Sequence, residues 1–212
     1  MVIAIDGPAG AGKSTVARAV AKALGFTYLD SGAMYRSVAL AGLEAGIDLD
    51  DPAAMGELAA AVEISMEDGR VKLDGRDVTE EIRTPRVSTA ASRVSVHPEV
   101  RSEMVLRQRN LIEAGNYVAE GRDIGTEVSP ESPLKVYLTA TAEERARRRA
   151  AENGEEVADV LAAQSERDSR DRDREHGALR AAEDSVEIDT TGLTVDEAAQ
   201  QVVEIARERS LV

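Results

Sequence analysis

The chain has 212 residues, 40 acidic and 26 basic, for a formal net charge of −14, and 42% of it is hydrophobic. These figures suit one domain with an ordinary core, and they exclude a wholly disordered chain and a broad surface for nucleic-acid polymers, which needs many cations against phosphates. The absence of Cys excludes a disulfide framework, a thiolate metal site and a cysteine nucleophile; with no apolar run near the roughly 20 residues of a membrane span and no secretory leader, a soluble, cytoplasmic protein is expected.

Residues 2–6, VIAID, form a short apolar run that ends in a Gly-rich turn, after which Val16, Ala17, Val20, Ala21 and Leu24 recur at helical spacing. A second strand is expected at 26–29, stopping at Asp30-Ser31-Gly32, before helical spacing resumes through Met34, Val38, Leu40 and Leu43. Pro52 opens a further helix to about 62, since proline is tolerated in a first turn. The period then changes. EISMEDGRVKLDGRDV alternates apolar and polar residues about Asp68-Gly69 and predicts a small antiparallel hairpin outside any parallel sheet. Helix returns over about 84–114, broken near His97-Pro98, and strands are expected at 117–121 and 134–138. Arg-rich helical segments over about 142–175, a strand at 185–189 and a helix over 195–207 complete the chain. Alternating strands and helices imply an α/β fold whose parallel sheet is covered on both faces, with ligand sites beyond the carboxyl ends of its strands. The region from about 63 to 115 reads as an insert rather than a free domain.

Positive charge is concentrated. Of the cations only four are lysines, Lys13, Lys22, Lys72 and Lys135, and the other 22 are arginines, whose planar fork suits bidentate recognition of phosphate and carboxylate. Six arginines and two acids lie between Arg83 and Arg109, against twelve acids and three cations over 44–81. The bias points to a small anionic ligand, with a solvated charged surface as the plain alternative.

Gly7-Pro8-Ala9-Gly10-Ala11-Gly12-Lys13-Ser14, followed by Thr15, fits the phosphate-loop pattern G-x-x-x-x-G-K-[ST] in full. The glycines let backbone N–H groups converge on phosphate oxygens, the helix that follows points its positive end at them, Lys13 reaches the β- and γ-phosphates, and the Ser14 hydroxyl is placed to ligate Mg²⁺. A GTPase switch would need a guanine-reading N-K-x-D, which is absent, and the D-x-x-G at Asp189-Thr190-Thr191-Gly192 reads as a strand-end turn. Two other strand ends each present an arginine and an acid, at Asp30 to Arg36 and at Gly121-Arg122-Asp123, and together they read as a second substrate pocket. In Arg167-Asp168-Ser169-Arg170-Asp171-Arg172-Asp173-Arg174 the i,i+4 pairs include one attractive, Arg167 with Asp171, and one repulsive, Arg170 with Arg174. Arginines left over from such pairing suit a transferring phosphoryl group, and Arg145, Arg147, Arg148 and Arg149 are expected in a lid that excludes water.

The strings IDGPAGAGKST, LDSGAMYR, EIRTPRVSTAASRVS, the VR at 100 and 101, EGRDIGT, EERARRR, ERDSRDRDR and IDTTGLTVDE, in this order over essentially the whole length, closely resemble the bacterial cytidylate kinases, nucleoside-monophosphate kinases of the phosphate-loop class. The resemblance implies a three-layer kinase fold with a five-stranded parallel sheet, a short lid at about 145–160 and a β-containing insert. It implies one kinase domain over 1–212, with a core of 1–45 and 116–212 and a monophosphate-binding region at about 46–115. It further implies transfer of the γ-phosphoryl group of ATP to CMP or dCMP in pyrimidine metabolism, with Mg²⁺, and leans to a monomer. Carried over residue by residue, Ser31, Ser92, Arg101 and Asp123 fall around the cytosine, Arg36, Arg122 and Arg174 near the acceptor phosphate, and Arg167 and Asp171 near the sugar. Lys13, Arg122, Arg167 and Arg174 are the expected catalytic residues, and Gly7 to Thr15 the ATP site. Many relatives have Gly or Ser after the loop lysine, so Thr15 is a candidate to share the metal with Ser14. A carboxylate such as Asp123 accepts from the cytosine amino group, where uracil presents the opposite pattern. The other readings are a nucleotide-dependent switch without phosphotransfer and a kinase with a different acceptor, UMP, AMP or a small metabolite such as shikimate.

Overall fold

The computed structural model describes every residue except Asp68 and Ala114. In chain order the elements are β1 (Val2–Asp6), α1 (Lys13–Leu24), β2 (Thr27–Asp30), α2 (Ser31–Ala45), α3 (Pro52–Ala61), β3 (Ile64–Glu67), β4 (Arg70–Leu73), β5 (Arg76–Asp77), α4 (Pro85–Val94) and α5 (Pro98–Ile112). They continue with β6 (Tyr117–Gly121), a single π-helical turn (Ile124–Val128), β7 (Leu134–Thr139), α6 (Ala142–Asn153), α7 (Val157–Arg172), β8 (Val186–Asp189) and α8 (Val195–Glu208). The chain divides into two compact units, Met1–Asp30 with Leu111–Val212, and Ser31–Asn110.

The first unit is built on a five-stranded parallel sheet in the order β2-β6-β1-β7-β8. All five residues of β1 are buried, as its unbroken apolar run requires of a strand covered on both faces. Register places Ile3 opposite Val118 on one side and Leu134 on the other. The core joins Ile3, Ile5, Val136 and Leu138 of the sheet to Val16 and Val20 of α1 and to Val202 and Ala206 of α8. Helix α8 starts in a capping box, in which Thr194 Oγ1 accepts from Glu197 N and the Glu197 carboxylate accepts from Thr194 N, so two end groups are satisfied reciprocally. Helices α6 and α7 share a small cluster of their own, Ala146, Ala150 and Val160. β1 lies between strands reached by windings in opposite directions, so its carboxyl end is where a crevice for ligand is expected.

The second unit packs Met34, Val38, Met55, Leu73, Ile82, Val94, Val100 and Met104 into one core. Asp51 caps α3 by accepting from Ala53 N and Ala54 N, with Pro52 at the first helical position. The expected hairpin is present as β3 against β4, with Glu67 opposite Arg70; Asp68, half of its expected turn, lies outside the described residues, as does Ala114 at the end of the helix expected to reach it. The hairpin expectation needs one correction, because β5 adds a third antiparallel strand after a turn at Asp74 and Gly75, at φ 50° and 80°. A strand of two residues carries no alternation to read.

Candidate active site

The carboxyl end of β1 delivers Asp6 and then the phosphate loop. Asp6 is buried, and its two oxygens accept from Ile124 N at 2.9 Å and Gly125 N at 2.8 Å, tying β1 to the π-helical turn that follows β6. Burial pushes its carboxyl up to about 7, aided by the neighbouring Asp123 carboxylate and opposed by those two N–H groups. Gly7 stands at φ 148°, and a Cβ there would lie 2.1 Å from the Leu138 carbonyl oxygen of β7, so no side chain fits. Lys13 opens α1 as a buried residue and folds back over the loop, donating from Nζ to the Pro8 carbonyl at 2.7 Å. Burial, with the Arg122 and Arg167 charges, lowers its pKa to about 7. The Glu120 and Asp6 carboxyls act in the opposite direction.

Ser14 and Thr15 follow as exposed residues of the first turn. The Ser14 hydroxyl bonds to Glu120, a buried acid of β6 that also accepts from the Tyr28 hydroxyl. Burial raises the Glu120 carboxyl, as does Asp30, while Lys13 and both hydroxyls lower it. The Arg18 guanidinium lies 5.0 Å from the Tyr28 ring centroid. Among the described residues no three His, Asp or Glu side chains form a metal cage. The oxygens at the loop, the Ser14 hydroxyl and the Glu120 carboxylate, do fit Mg²⁺, which takes one or two protein oxygens and completes its shell with water and substrate phosphates.

A second cluster in the same unit gathers around Asp171 of α7, whose carboxylate side chain is 1% exposed. Its Oδ2 accepts from Arg122 Nε at 2.9 Å and lies 4.0 Å from Arg167 Nε one turn back, and its Oδ1 accepts from Arg174. Burial would raise this carboxyl, but Arg122, Arg174 and Arg167 outweigh it and hold it below the usual range. The structure thus brings together Arg122, Arg167, Asp171 and Arg174, and the Arg122 and Arg167 charges reach Lys13. Asp123 lies beside them in sequence, buried, at the head of the π-helical turn.

Ser31, Arg36, Ser92 and Arg101 belong to the second unit. Ser31 is the buried first residue of α2, Ser92 is buried on α4, and Arg101 is buried on α5 with its guanidinium 5.9 Å from the ring centroid of Tyr35 on α2. Arg36 stands next to Tyr35, half-buried.

Of the four arginines expected in a lid, Arg145 is buried and donates to Ala9 O, Ala140 O and Asp168, and Arg148 donates to Thr190 and Glu144. Only Arg147 and Arg149 of this group are tied to nearby helix acids alone, Glu144 and Glu152. Helical spacing shows which residues share a face, not which distant carbonyls they meet. Asp6, Glu120, Tyr28 and Asp168 escaped the sequence reading; Asp6 and Glu120 had a signal, being the acids that close or nearly close apolar strands at the loop.

The family model described as cytidylate kinase matches residues 3–208. The chain belongs to the cytidylate kinase family. It is 50% identical over 214 residues to a cytidylate kinase of Carboxydothermus hydrogenoformans, covering 97% of this chain and 96% of that one. It is 46% identical over 213 residues to a cytidylate kinase of Rhodopirellula baltica, covering 98% and 93%. A crystal structure of an uncharacterised protein from Eubacterium ventriosum shares the fold, with a TM-score of 0.56 at 13% identity and 98% of each chain covered. The cytidylate kinase strings read from the sequence therefore stand in a chain whose fold, phosphate loop and family agree. No helix among the described residues is long and apolar enough to cross a membrane.

Proposed function

We propose that this chain transfers the γ-phosphoryl group of ATP to CMP or dCMP, giving ADP and CDP or dCDP. The observation that carries the reading is the buried concentration of cations at the phosphate loop: Lys13, depressed to about 7 by burial and by Arg122 and Arg167, is restored to full charge by a polyphosphate. Lys13 and the loop amides of Gly7 to Thr15 hold the donor phosphates. Ser14, beside Glu120, holds Mg²⁺, which when bound neutralises charge on the donor phosphates, with Thr15 adjacent in the same turn. Arg122 and Arg174, held by Asp171, face the acceptor phosphate, with Arg167 and Asp171 on the sugar side. By the family resemblance, Ser31, Ser92 and Arg101 serve the cytosine and Arg36 the acceptor phosphate, and Asp123 accepts from the cytosine amino group.

The acceptor phosphate is already an anionic nucleophile, so the reaction needs no strong general base; alignment and charge neutralisation carry the rate. The arginines contribute where charge spreads over the equatorial oxygens of the group in flight. A monomeric enzyme working in the cytoplasm completes the reading. The test is ADP production from ATP and Mg²⁺ with CMP, dCMP, UMP or AMP as acceptor. The reading predicts that kcat/KM for CMP or dCMP exceeds that for UMP and AMP by about tenfold or more, as an unpaired buried acceptor demands. A preference of about twofold or less would contradict base reading by Asp123.

A further inference from the structure

We propose that Arg145 of α6 and Asp168 of α7 act as a positioning pair that fixes the orientation of the Ala9–Gly10 peptide in the phosphate loop. The proposal rests on the kinase reading above and adds two residues to it. Arg145 Nη1 donates to the Ala9 carbonyl oxygen at 2.8 Å and to Asp168 Oδ2 at 2.6 Å, while its Nε donates to Ala140 O at 3.2 Å. Asp168 Oδ1 in turn accepts from Ala9 N at 3.4 Å. One ion pair therefore grips Ala9 by both its N–H and its C=O. The two side chains are 8% and 1% exposed, so water does not compete for these contacts.

The consequence for anion binding follows from peptide geometry. The Ala9 carbonyl and the Gly10 N–H belong to one planar trans peptide and point in opposite directions, so an oxygen held by Arg145 sends the Gly10 N–H the other way. A loop that receives phosphate through N–H groups needs this peptide in one orientation, because the flipped form presents a carbonyl oxygen to the anion. Neighbouring contacts restrict the same segment. A Cβ at Gly10 would lie 2.8 Å from Gln164 Nε2 and 3.0 Å from the Arg145 carbonyl oxygen, and Gln164 Nε2 itself donates to Arg145 O at 3.4 Å. Buried ion pairs return little net stability once desolvation is counted, so stability alone is a weak reason for this one. Its contacts with the loop supply a stronger one. Asp168 also lies on the helix that carries Arg167 and Asp171, so α7 holds the donor loop and the arginine cluster from a single element.

The test uses Arg145→Lys, which keeps the charge beside Asp168 but loses the fork that reaches Ala9 and Ala140, and Asp168→Asn, which keeps shape and one acceptor. KM for ATP and for CMP is measured for each variant and for the double variant, with calorimetric ATP binding and thermal unfolding alongside. Because Arg145→Lys leaves the buried carboxylate a cationic partner, it is the variant on which the proposal is judged if Asp168→Asn does not fold. The expected result is a rise in KM and Kd for ATP of about tenfold or more in folded protein, KM for CMP within about threefold, and a double variant no weaker than the worse single one, as befits groups acting as a unit. A folded Arg145→Lys whose ATP affinity is unchanged, or one that loses ATP and CMP affinity equally, overturns the proposal. Wild-type protein that binds ATP without phosphorylating CMP refutes the functional reading instead, and ATP binding by the variants still decides the brace.

Discussion

Lys13 and Asp6 illustrate how two side chains a loop apart take opposite shifts from the same cause. Asp6 rises from 3.8 to about 7 and Lys13 falls from 10.5 to about 7, burial being the largest contribution in both. Between about pH 4 and 7 the folded chain keeps an Asp6 proton that the unfolded chain has lost, so the stability due to Asp6 declines as pH rises through that window. Between about pH 7 and 10.5 the unfolded chain keeps the Lys13 proton, so the contribution of Lys13 improves with rising pH there. Polyphosphate beside Lys13 should restore its charged form. We predict that ATP binding at pH 8 takes up about one proton, read by calorimetry in buffers of different ionisation enthalpy, and that the uptake disappears in Lys13→Met. Binding with no proton uptake would contradict the placement of Lys13 at the phosphates. Lys13 was legible from the loop pattern alone, because the chemistry dictates residue type at fixed spacing. Arg145 and Asp168 were not, because their meaning comes from Ala9, which is far from both in sequence.

At the scale of elements, the parallel strands were visible because each is a short apolar run bounded by turn residues. The strand expected at 26–29 is Thr27–Asp30, that at 134–138 is Leu134–Thr139, and that at 185–189 is Val186–Asp189, so displacement is a residue or so at the ends. The break near His97-Pro98 separates α4 from α5 for the reason the sequence offers, the restriction that proline puts on the residue before it. The π-helical turn at Ile124–Val128 left no pattern, since it is held by Asp6 from another strand rather than by its own periodicity. The approach of β7 to the loop leaves no room for a side chain at Gly7. Gly7→Ala would set a methyl carbon 2.1 Å from the Leu138 carbonyl oxygen of a central strand that cannot retreat without breaking its pairing with β1. We predict a destabilisation on the order of 2 kcal/mol or more, which lowers Tm by roughly 4 to 8 °C in a chain of this size. An unchanged melting curve would mean that the strand and loop do not pack as described.

Over the whole molecule, a strongly acidic chain places Lys13 and the Arg122, Arg167 and Arg174 cluster around Asp171 in one unit, while the other unit carries Ser31, Arg36, Ser92 and Arg101. Net charge therefore said nothing of the ligand, whereas the excess of arginine over lysine did. The family strings span both units, which is why the activity was readable from the sequence; of the ion pairs, Arg167 with Asp171 was legible from helical spacing, whereas Arg122 with Asp171 and Arg145 with Asp168 join segments distant in sequence and were not. The central claim is that the cations at the loop serve transfer between two nucleotides rather than hydrolysis of one. Chromatographic product analysis after incubation with ATP, Mg²⁺ and CMP tests it most directly. Equimolar ADP and CDP, with no inorganic phosphate above the level without CMP, is the predicted result; ADP accompanied by inorganic phosphate and unchanged CMP would contradict it.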